Sequence, residues 1–252
     1  RTTSDVAYNV ISLVIMALTG LLVGWRIREG LADAVLGFLV LLVFAYAISW
    51  IMAWVGLLVP SDSPGMIREP ATPKMGMWGG PFGKLVIKDC RVPASARLGS
   101  ATAGKLVFMS AMEWERGCLL APMAGVMRRQ LDQCIQWAKA RKQGEASITR
   151  FQAVAHRIVD MKMRLETARH LLYAFAWKKQ VRRRANMEAS MAKLYVSEAL
   201  VQNALDALQI YGAYGYTTGS GVERQLRDAA ATRIASGTSD IQKTIIAESL
   251  RL

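Results

Sequence analysis

The sequence predicts a mainly α-helical protein built from three parts. Two long stretches without a charged residue, 7–25 and 34–59, indicate a transmembrane helical hairpin within residues 1–59. A segment rich in proline and glycine follows, and it leads into a short alternating run that indicates a partial β-domain over residues 60–99. Over residues 100–252, apolar side chains recur in steps of three and four, which indicates an antiparallel four-helix bundle.

The N-terminal hairpin rests on length and charge. Each uncharged stretch can span a bilayer core, which takes about 20 apolar residues in helical form. The polar link between them, 26–33, is short. A buried helical pair in a large core is the alternative, whereas a cleaved signal peptide fits two long spans poorly. We therefore expect a membrane-associated protein whose bundle is cytoplasmic. Arg26 and Arg28 favour the cytoplasmic side for the link between the two spans, which would place the bundle on the opposite side of the membrane.

The middle segment is predicted to contain one or two strands. In the stretch KLVIKDCRVP, Leu85 and Ile87 alternate with Val86 and Lys88, and Pro93 ends the run. So few strands cannot enclose a core of their own.

The bundle is predicted from apolar stripes and end signals. The clearest stripe contains Phe151, Val154, Ile158, Met161, Leu165, Ala168, Leu172 and Phe175. An earlier helix carries Leu119, Met123, Val126, Cys134 and Trp137, and a later one carries Leu194, Val201, Leu205 and Leu208. Glycines within 212–221 end the later helix. The last helix follows SGTSD, where Thr238 or Ser239 can cap it and Asp240 suits the positive N-terminus.

Charge and cysteine content restrict the partners. The net charge of +13 favours an anionic partner, but no nucleic-acid-binding motif accompanies it, so we expect no nucleic acid. The three cysteines form no CxxC pair, which favours reduced thiols. His156 and His170 lack ligands at metal-binding spacing, so we expect no metal site.

Single motifs do not point to a reaction. The stretch GAYGYTTGSG lacks the Gly-Lys-Ser/Thr ending of a phosphate-binding loop, and alone it indicates a helix end and a turn. No GxSxG or Cys/His arrangement indicates nucleophilic catalysis.

Taken together, residues 60–252 resemble the acyl-CoA dehydrogenase family of flavoproteins. The order and spacing of seven stretches carry the resemblance: PSDSPGM, KMGMWGGPFGKLVIKDCRVPASARLG, MEWERGCLLAPMAGVMRRQLD, ARKQGEASITRFQAV, LQIYGAYGY, VERQLRDA and RIASGTSDIQ. The resemblance implies that residues 100–252 form the C-terminal helical domain and that 60–99 are the end of the β-domain.

The resemblance also implies FAD as cofactor. Arg141 matches an arginine that reaches the FAD phosphates of a neighbouring subunit, and Gln152 matches a glutamine close to it. Gln209 and Ala213 match positions near the adenosine part, and an arginine fork and small residues suit such contacts. Thr238 and Asp240 match flavin-side positions. Without the resemblance, Arg141 and Gln209 would be ordinary polar helix residues.

Several positions depart from the family pattern. Gly144 stands where an aromatic residue is usual, Glu145 stands where glycine is common, and Ala213 replaces a glycine. The base of many members is a glutamate at the position of Ser236, and serine cannot take an α-proton unaided. In a minority of members the base lies on an earlier helix, before an arginine, and Glu115 and Arg116 match that pair.

The implied reaction is the α,β-dehydrogenation of an acyl thioester, carried by CoA or by an acyl-carrier protein. Glu115 is expected to abstract the Cα proton, in an apolar pocket that tunes it as a base. The backbone N–H of Ser236 is expected to polarise the thioester carbonyl, with Arg116 at the substrate. The other implied partners are an electron-transfer flavoprotein or similar acceptor, and further copies of the chain bound through the bundle. An ion pair with Arg116 on an exposed helix face is the alternative role of Glu115.

Residues 1–59 more weakly resemble the end of an ABC-2-type export permease. A complete family member would have a helical domain and a full β-domain before residue 60, so we expect a truncated dehydrogenase fused to a membrane hairpin. The alternative is a membrane transport component whose helical bundle serves only in assembly.

Overall fold

The computed structural model describes residues 65–80, 82–100, 102–181 and 184–252. The predicted hairpin at residues 1–59 lies outside these residues and stays a prediction. Within the described ranges, no helix is both long enough and apolar enough to cross a membrane. The described chain contributes to two compact units, one ending at Pro70 and resuming over Gly83–Arg97, the other combining Ala71–Phe82 with Leu98–Leu252.

The first unit contains a two-stranded antiparallel ladder. Strand β1, Met66–Arg68, pairs with β2, Leu85–Ile87, so that Ile67 lies opposite Val86. Gly65 has φ of 93°, and a Cβ there would come within 2.0 Å of the Lys88 carbonyl oxygen. The chain therefore requires glycine where it enters the ladder.

The second unit is mainly helical, as predicted. Its helices are α1 Gly104–Trp114, α2 Ala121–Ala140, α3 Gln152–Val181, α4 Asn186–Tyr211, α5 Ala213–Tyr216, α6 Val222–Thr232 and α7 Ser239–Ser249. A π-helical turn, Glu115–Leu119, joins α1 to α2. The short strands β3, Lys142–Gln143, and β4, Ala146–Ser147, form a hairpin between α2 and α3.

Local sequence explains the helix ends. Helix α4 ends at Tyr211 because Gly212 adopts φ of 61°, which confirms the predicted end. Helix α7 begins after Thr238, whose side-chain oxygen accepts a hydrogen bond from the Ile241 amide at 3.4 Å, so the predicted cap is also confirmed. Gly144 lies in the turn of the β3–β4 hairpin with φ of 63°, a conformation that the aromatic residue usual in the family would adopt only with strain.

Helix α4 is the centre of the bundle and contacts α2, α3, α6 and α7. The four apolar residues that predicted this helix mark it only in part: Val201 and Leu208 are half-buried and pack against the core, Leu194 is half-buried, and Leu205 is 42% exposed. The residues of α4 that fill the core are small or β-branched in large part, and include Ala192, Val196, Leu200, Ala204 and Ala207. A helix surrounded by neighbours is buried on most sides, so its apolar periodicity does not reveal one face.

Helices α2 and α3 each bury one stripe against α4. On α3 the predicted residues from Met161 to Phe175 line the core, whereas Phe151 precedes the helix and is 47% exposed. On α2 the core face contains Met127, Leu131 and Ala138 besides the predicted Cys134.

A segment distant in sequence packs on α6. Within Ala71–Phe82, the Met75 carbonyl accepts a hydrogen bond from Arg227 at 2.8 Å, and the Met77 amide donates to Asp228 at 2.5 Å. The Trp78 ring lies 4.5 Å from the Arg227 guanidinium carbon. A Cβ on Gly76 would come within 2.7 Å of the Arg227 backbone, so this contact also depends on a glycine.

Candidate active site

The π-helical turn presents Glu115 at its first residue. Such turns occur inside helices and frequently at functional sites. The turn is held from its N-terminal side by Glu113, a buried carboxylate that accepts hydrogen bonds from Lys179 Nζ at 2.9 Å and from the Ala185 amide at 2.5 Å. These contacts attach the end of α1 to the end of α3 and to the start of α4.

The turn also packs tightly on Phe175 of α3. A Cβ placed on Gly117 would lie 2.0 Å from a carbon of the Phe175 ring. Trp114 meets the same ring edge-to-face at a centroid distance of 6.5 Å, and its own ring lies 4.9 Å from Lys179 Nζ. The position of Glu115 therefore depends on close contact between the turn and α3.

The loop between α6 and α7 forms the other side of the site. Ser236 has φ of 57° and Gly237 has φ of 95°, so two successive residues lie in the left-handed region. Gln242 of α7 is fully buried and donates from Nε2 to the Ser236 and Gly237 carbonyls, at 3.2 and 3.0 Å. Lys193 of α4 donates to the Arg233 carbonyl at 3.0 Å. Hydrogen bonds from these two side chains to backbone carbonyls thus help to fix the path of this loop.

The structure brings Glu115 and Ser236 into direct contact. The hydroxyl of Ser236 donates to Glu115 Oε1 at 2.5 Å, across a separation of 121 residues. Glu115 is exposed in the described part of the chain, so the apolar pocket expected around it is not formed by these residues.

Arg116 is buried, and its guanidinium bonds the loop and the start of α4. It is 5% exposed, and its Nε donates to the Ser236 carbonyl at 3.3 Å while its Nη1 approaches Asn186 Oδ1 at 3.4 Å. Burial lowers the pKa of Arg116, and the nearby carboxylate of Glu115 opposes that shift. In this geometry the guanidinium links the turn to the loop, and its expected contact with substrate stays a prediction.

The loop also lies beside a second cation, Lys193, and a half-exposed acid, Glu198. Burial lowers the pKa of Lys193, and Glu198 partly opposes the shift. Glu198 accepts hydrogen bonds from Arg233 at 2.9 Å and from Ser239 at 2.6 Å. Burial is the largest single influence on its carboxyl and raises the pKa, but the pKa is lowered overall because these donors act in the opposite direction. The site therefore combines one exposed carboxylate with positive charge behind the loop.

A second group of predicted residues surrounds a cavity at the end of α4. The cavity measures about 400 Å³, and its lining includes Gln209, Gly212, Ala213, Arg157 and Tyr216. Gly212 leaves open space where a Cβ would stand. Asp206, also in the lining, anchors Arg157 at 2.9 Å and Arg164 at 2.8 Å.

The remaining predicted residues are exposed. Arg141 ends α2, and no other described residue forms a hydrogen bond or ion pair with its guanidinium; Gln152 begins α3. Asp240 lies in the first turn of α7, where it meets Lys243 at 3.3 Å. The structure thus joins Glu115 with Ser236 and joins Gln209 with Ala213, but it shows no contact between the two groups.

Sequence reasoning missed two supporting residues, Gln242 and Arg157. Gln242 is the last residue of the family-like stretch RIASGTSDIQ, but nothing in its own pattern separates it from an exposed helix residue. Arg157 lies three residues after Val154 and four before Met161 on α3, so its spacing places it on the face of the apolar stripe, where a search for exposed polar residues does not look.

Comparison with known proteins identifies the family. The sequence profile of the acyl-CoA dehydrogenase C-terminal domain matches residues 102–251. The chain belongs to the acyl-CoA dehydrogenase family. This match favours the dehydrogenase interpretation of the bundle over the transport alternative.

Individual relatives within the family are similar over the same region. The chain is 41% identical over 197 residues to the L-prolyl-[peptidyl-carrier protein] dehydrogenase of Pseudomonas fluorescens, covering 78% of this chain and 52% of the relative. It is 34% identical over 190 residues to the mitochondrial short-chain specific acyl-CoA dehydrogenase of Homo sapiens, covering 75% and 46%. The chain spans about half the length of these relatives.

Solved structures agree. The crystal structure of the prolyl acyl carrier protein oxidase AnaB superposes with a TM-score of 0.75 at 47% identity, over 76% of this chain and 51% of that one. PigA with FAD and proline gives a TM-score of 0.74 at 39% identity, over 76% and 50%. The helical unit therefore has the fold of the family's C-terminal domain.

Proposed function

We propose that this chain takes part in the FAD-dependent α,β-dehydrogenation of an acyl thioester, with Glu115 as the base. The observation that carries the proposal is the convergence of Glu115 and Ser236, because it presents an exposed carboxylate beside a loop with a backbone N–H for a carbonyl oxygen. In the reaction, the proton of substrate Cα moves to Glu115, and the Ser236 amide donates to the thioester carbonyl as negative charge develops.

The described residues are compatible with FAD. The cavity at the end of α4 combines amide side chains, an arginine and an open glycine backbone, which suits an adenosine group. In this proposal Gln209 and Ala213 contact the adenosine part, Arg141 and Gln152 the phosphates, and Thr238 and Asp240 the flavin side. FAD, when bound, accepts the hydride that leaves substrate Cβ.

The preferred thioester is one attached to a carrier protein. Among the similar proteins, those named for prolyl groups on carrier proteins reach 40–41% identity, whereas the human short-chain acyl-CoA enzyme reaches 34%. An electron-transfer flavoprotein or similar acceptor would reoxidise the flavin. We also propose self-association through the bundle, since α3 exposes the apolar side chains of Val159, Met163, Tyr173 and Trp177.

Exchange of the substrate α-proton tests the proposal without an electron acceptor. The full chain, loaded with FAD, is incubated in D₂O with L-prolyl carrier protein or with butyryl-CoA, and deuterium uptake is followed by mass spectrometry. We expect exchange with the carrier-bound thioester, and a fall of at least about 100-fold in Glu115→Gln, since removing a general base has effects of this size. Glu248→Gln, at an exposed glutamate near the end of α7, is the matched control. No exchange by the wild-type chain, or full exchange by Glu115→Gln, would refute the assignment.

A further inference from the structure

The side-chain hydroxyl of Ser236 has a geometry that its backbone role does not require. It donates to Glu115 Oε1 at 2.5 Å. Among the described residues, the structure gives Glu115 no other side-chain hydrogen bond, so Oε2 remains available to take a proton. The two oxygens of the carboxylate are thus distinguished by one contact.

The residue that provides this hydroxyl is itself held firmly. The Ser236 carbonyl accepts hydrogen bonds from Arg116 Nε at 3.3 Å and from Gln242 Nε2 at 3.2 Å. Arg116 and Gln242 are both buried and belong to different elements, the π-helical turn and α7. On the next residue, a Cβ at Gly237 would come within 2.8 Å of Gln242 Nε2, so the packing leaves little freedom here.

A glutamate on an exposed turn needs such a partner. Its side chain rotates about three bonds and loses conformational freedom when it is held in one geometry. Proton abstraction requires the reacting oxygen within hydrogen-bond reach of the substrate carbon, and a displacement of about 1 Å can reduce the rate about 100-fold. A fixed hydroxyl bonded to one oxygen orients the other.

We propose that Ser236 is a positioning residue whose hydroxyl orients the Glu115 carboxylate for proton abstraction. This inference rests on the proposed function. The hydroxyl keeps its own proton throughout, and the substrate proton goes to Oε2 of Glu115.

Two substitutions separate the hydroxyl from the backbone conformation. Ser236→Gly removes the donor and suits the positive φ, so loss of function cannot be attributed to backbone strain. Ser236→Asn tolerates the same φ and offers an amide donor, which makes it the rescue variant. Ser249→Ala is the control, since it removes a hydroxyl that only bonds the Ile245 carbonyl within α7.

The first measurement needs neither FAD nor substrate. The carboxyl ¹³C resonance of Glu115 is assigned in the full chain by its disappearance in Glu115→Gln and is recorded at pH 8. We expect it to move toward the position of solvent-exposed glutamates in Ser236→Gly, and to stay in place in Ser249→Ala. An unmoved resonance in Ser236→Gly overturns the proposal.

The second measurement divides binding from turnover in the α-proton exchange assay. We expect Ser236→Gly to lower kcat by about 10- to 100-fold with little change in KM, and Ser236→Asn to recover part of the loss. A raised KM at unchanged kcat overturns the positioning role. If the wild-type chain exchanges nothing while the resonance still moves, the proposed function fails and the Ser236–Glu115 contact stands, so the two failures are distinguishable.

Discussion

Gly117→Ala tests how the base is supported by the packing of the π-helical turn. The new methyl would lie 2.0, 2.3 and 2.4 Å from three carbons of the Phe175 ring, all well inside the 3.4 Å at which ordinary contact begins. The ring must therefore move by on the order of 1 Å. Phe175 is 1% exposed and packs against Ala185 and Ala189, both nearly fully buried, so it has little room.

Two effects of opposite sign determine how much Gly117→Ala changes the free energy of unfolding. Overpacking a buried site typically destabilises by about 1–3 kcal/mol. Replacing glycine by alanine in a helix returns at most about 1 kcal/mol. Because the clash involves ring carbons confined in a core, we expect the first effect to dominate, with a net loss of about 2 kcal/mol in the free energy of unfolding. A protein of this size would then melt roughly 4–8 °C lower.

Urea denaturation followed by tryptophan fluorescence measures the change, and a matched substitution gives the opposite sign. Gly125→Ala in α2 adds a methyl that meets nothing within 4 Å, so we expect it to stabilise the protein by up to about 1 kcal/mol. Phe175→Leu shortens the obstructing ring, and combined with Gly117→Ala it should give a coupling energy of about 1 kcal/mol. Unchanged or raised stability in Gly117→Ala, or strict additivity in the double variant, would refute the reasoning.

Three further predictions concern buried polar groups. Gln130 is fully buried, and neither polar atom of its amide has a hydrogen-bond partner among the described residues. We therefore expect Gln130→Leu to raise the free energy of unfolding, measured by urea titration, by about 1 kcal/mol. A lowered free energy of unfolding would contradict this. Burial lowers the pKa of Lys193 in the folded protein. Between this lowered pKa and the ordinary lysine pKa of about 10.4, the unfolded chain therefore binds one proton at this side chain that the folded protein does not bind. The free energy of unfolding therefore rises with pH across that window. We expect its rise between pH 8 and pH 10 to be smaller in Lys193→Met than in the wild-type chain, and equal rises in the two proteins would contradict the prediction. Burial, with a smaller effect of Asp206, raises the pKa of Cys134 to about 12, so at pH 8 a thiol reagent should label Cys90 readily and Cys134 only after denaturation; rapid labelling of Cys134 in the native protein would contradict the burial.

Local signals predicted the parts of the fold that depend on nearby residues. The stripe from Met161 to Phe175 was correct because α3 has one buried and one exposed side, so its sequence period matches the helix period. The cap at Thr238 and the end at Gly212 follow from the conformations that those residue types favour.

The same reasoning failed where burial comes from several directions. Helix α4 contacts all the other helices of the bundle, and its most buried positions include the polar residues Ser190, Lys193 and Asn203. Two of these residues bind partners far along the chain: Lys193 donates to the Arg233 carbonyl, and Asn203 accepts from Arg164. A pattern of apolar residues cannot reveal those partners, and one residue that marked the helix, Leu205, is 42% exposed.

The candidate site could be predicted only in part for a related reason. The family resemblance pointed to Glu115 and to the loop at Ser236 separately. Their hydrogen bond joins residues 121 positions apart, and it depends on a π-helical turn and on two left-handed residues. The left-handed conformation of Ser236 is uncommon for a residue other than glycine, and the sequence around it gives no sign of it.

The contact between Ala71–Phe82 and α6 has a consequence for how this chain can be divided or recombined. The segment packs with the helical unit, yet Gly83–Arg97, which follows it, belongs to the unit of the β1–β2 ladder. The chain thus passes from the first unit to the helical unit at residue 71, returns to the first unit at residue 83, and enters the helical unit again at residue 98. No single cut between residues 71 and 98 yields two intact pieces, and a crossover there would deprive Arg227 and Asp228 of the carbonyl and amide that they bind. Gene fusions that preserve the helical unit are therefore expected to join upstream of residue 71.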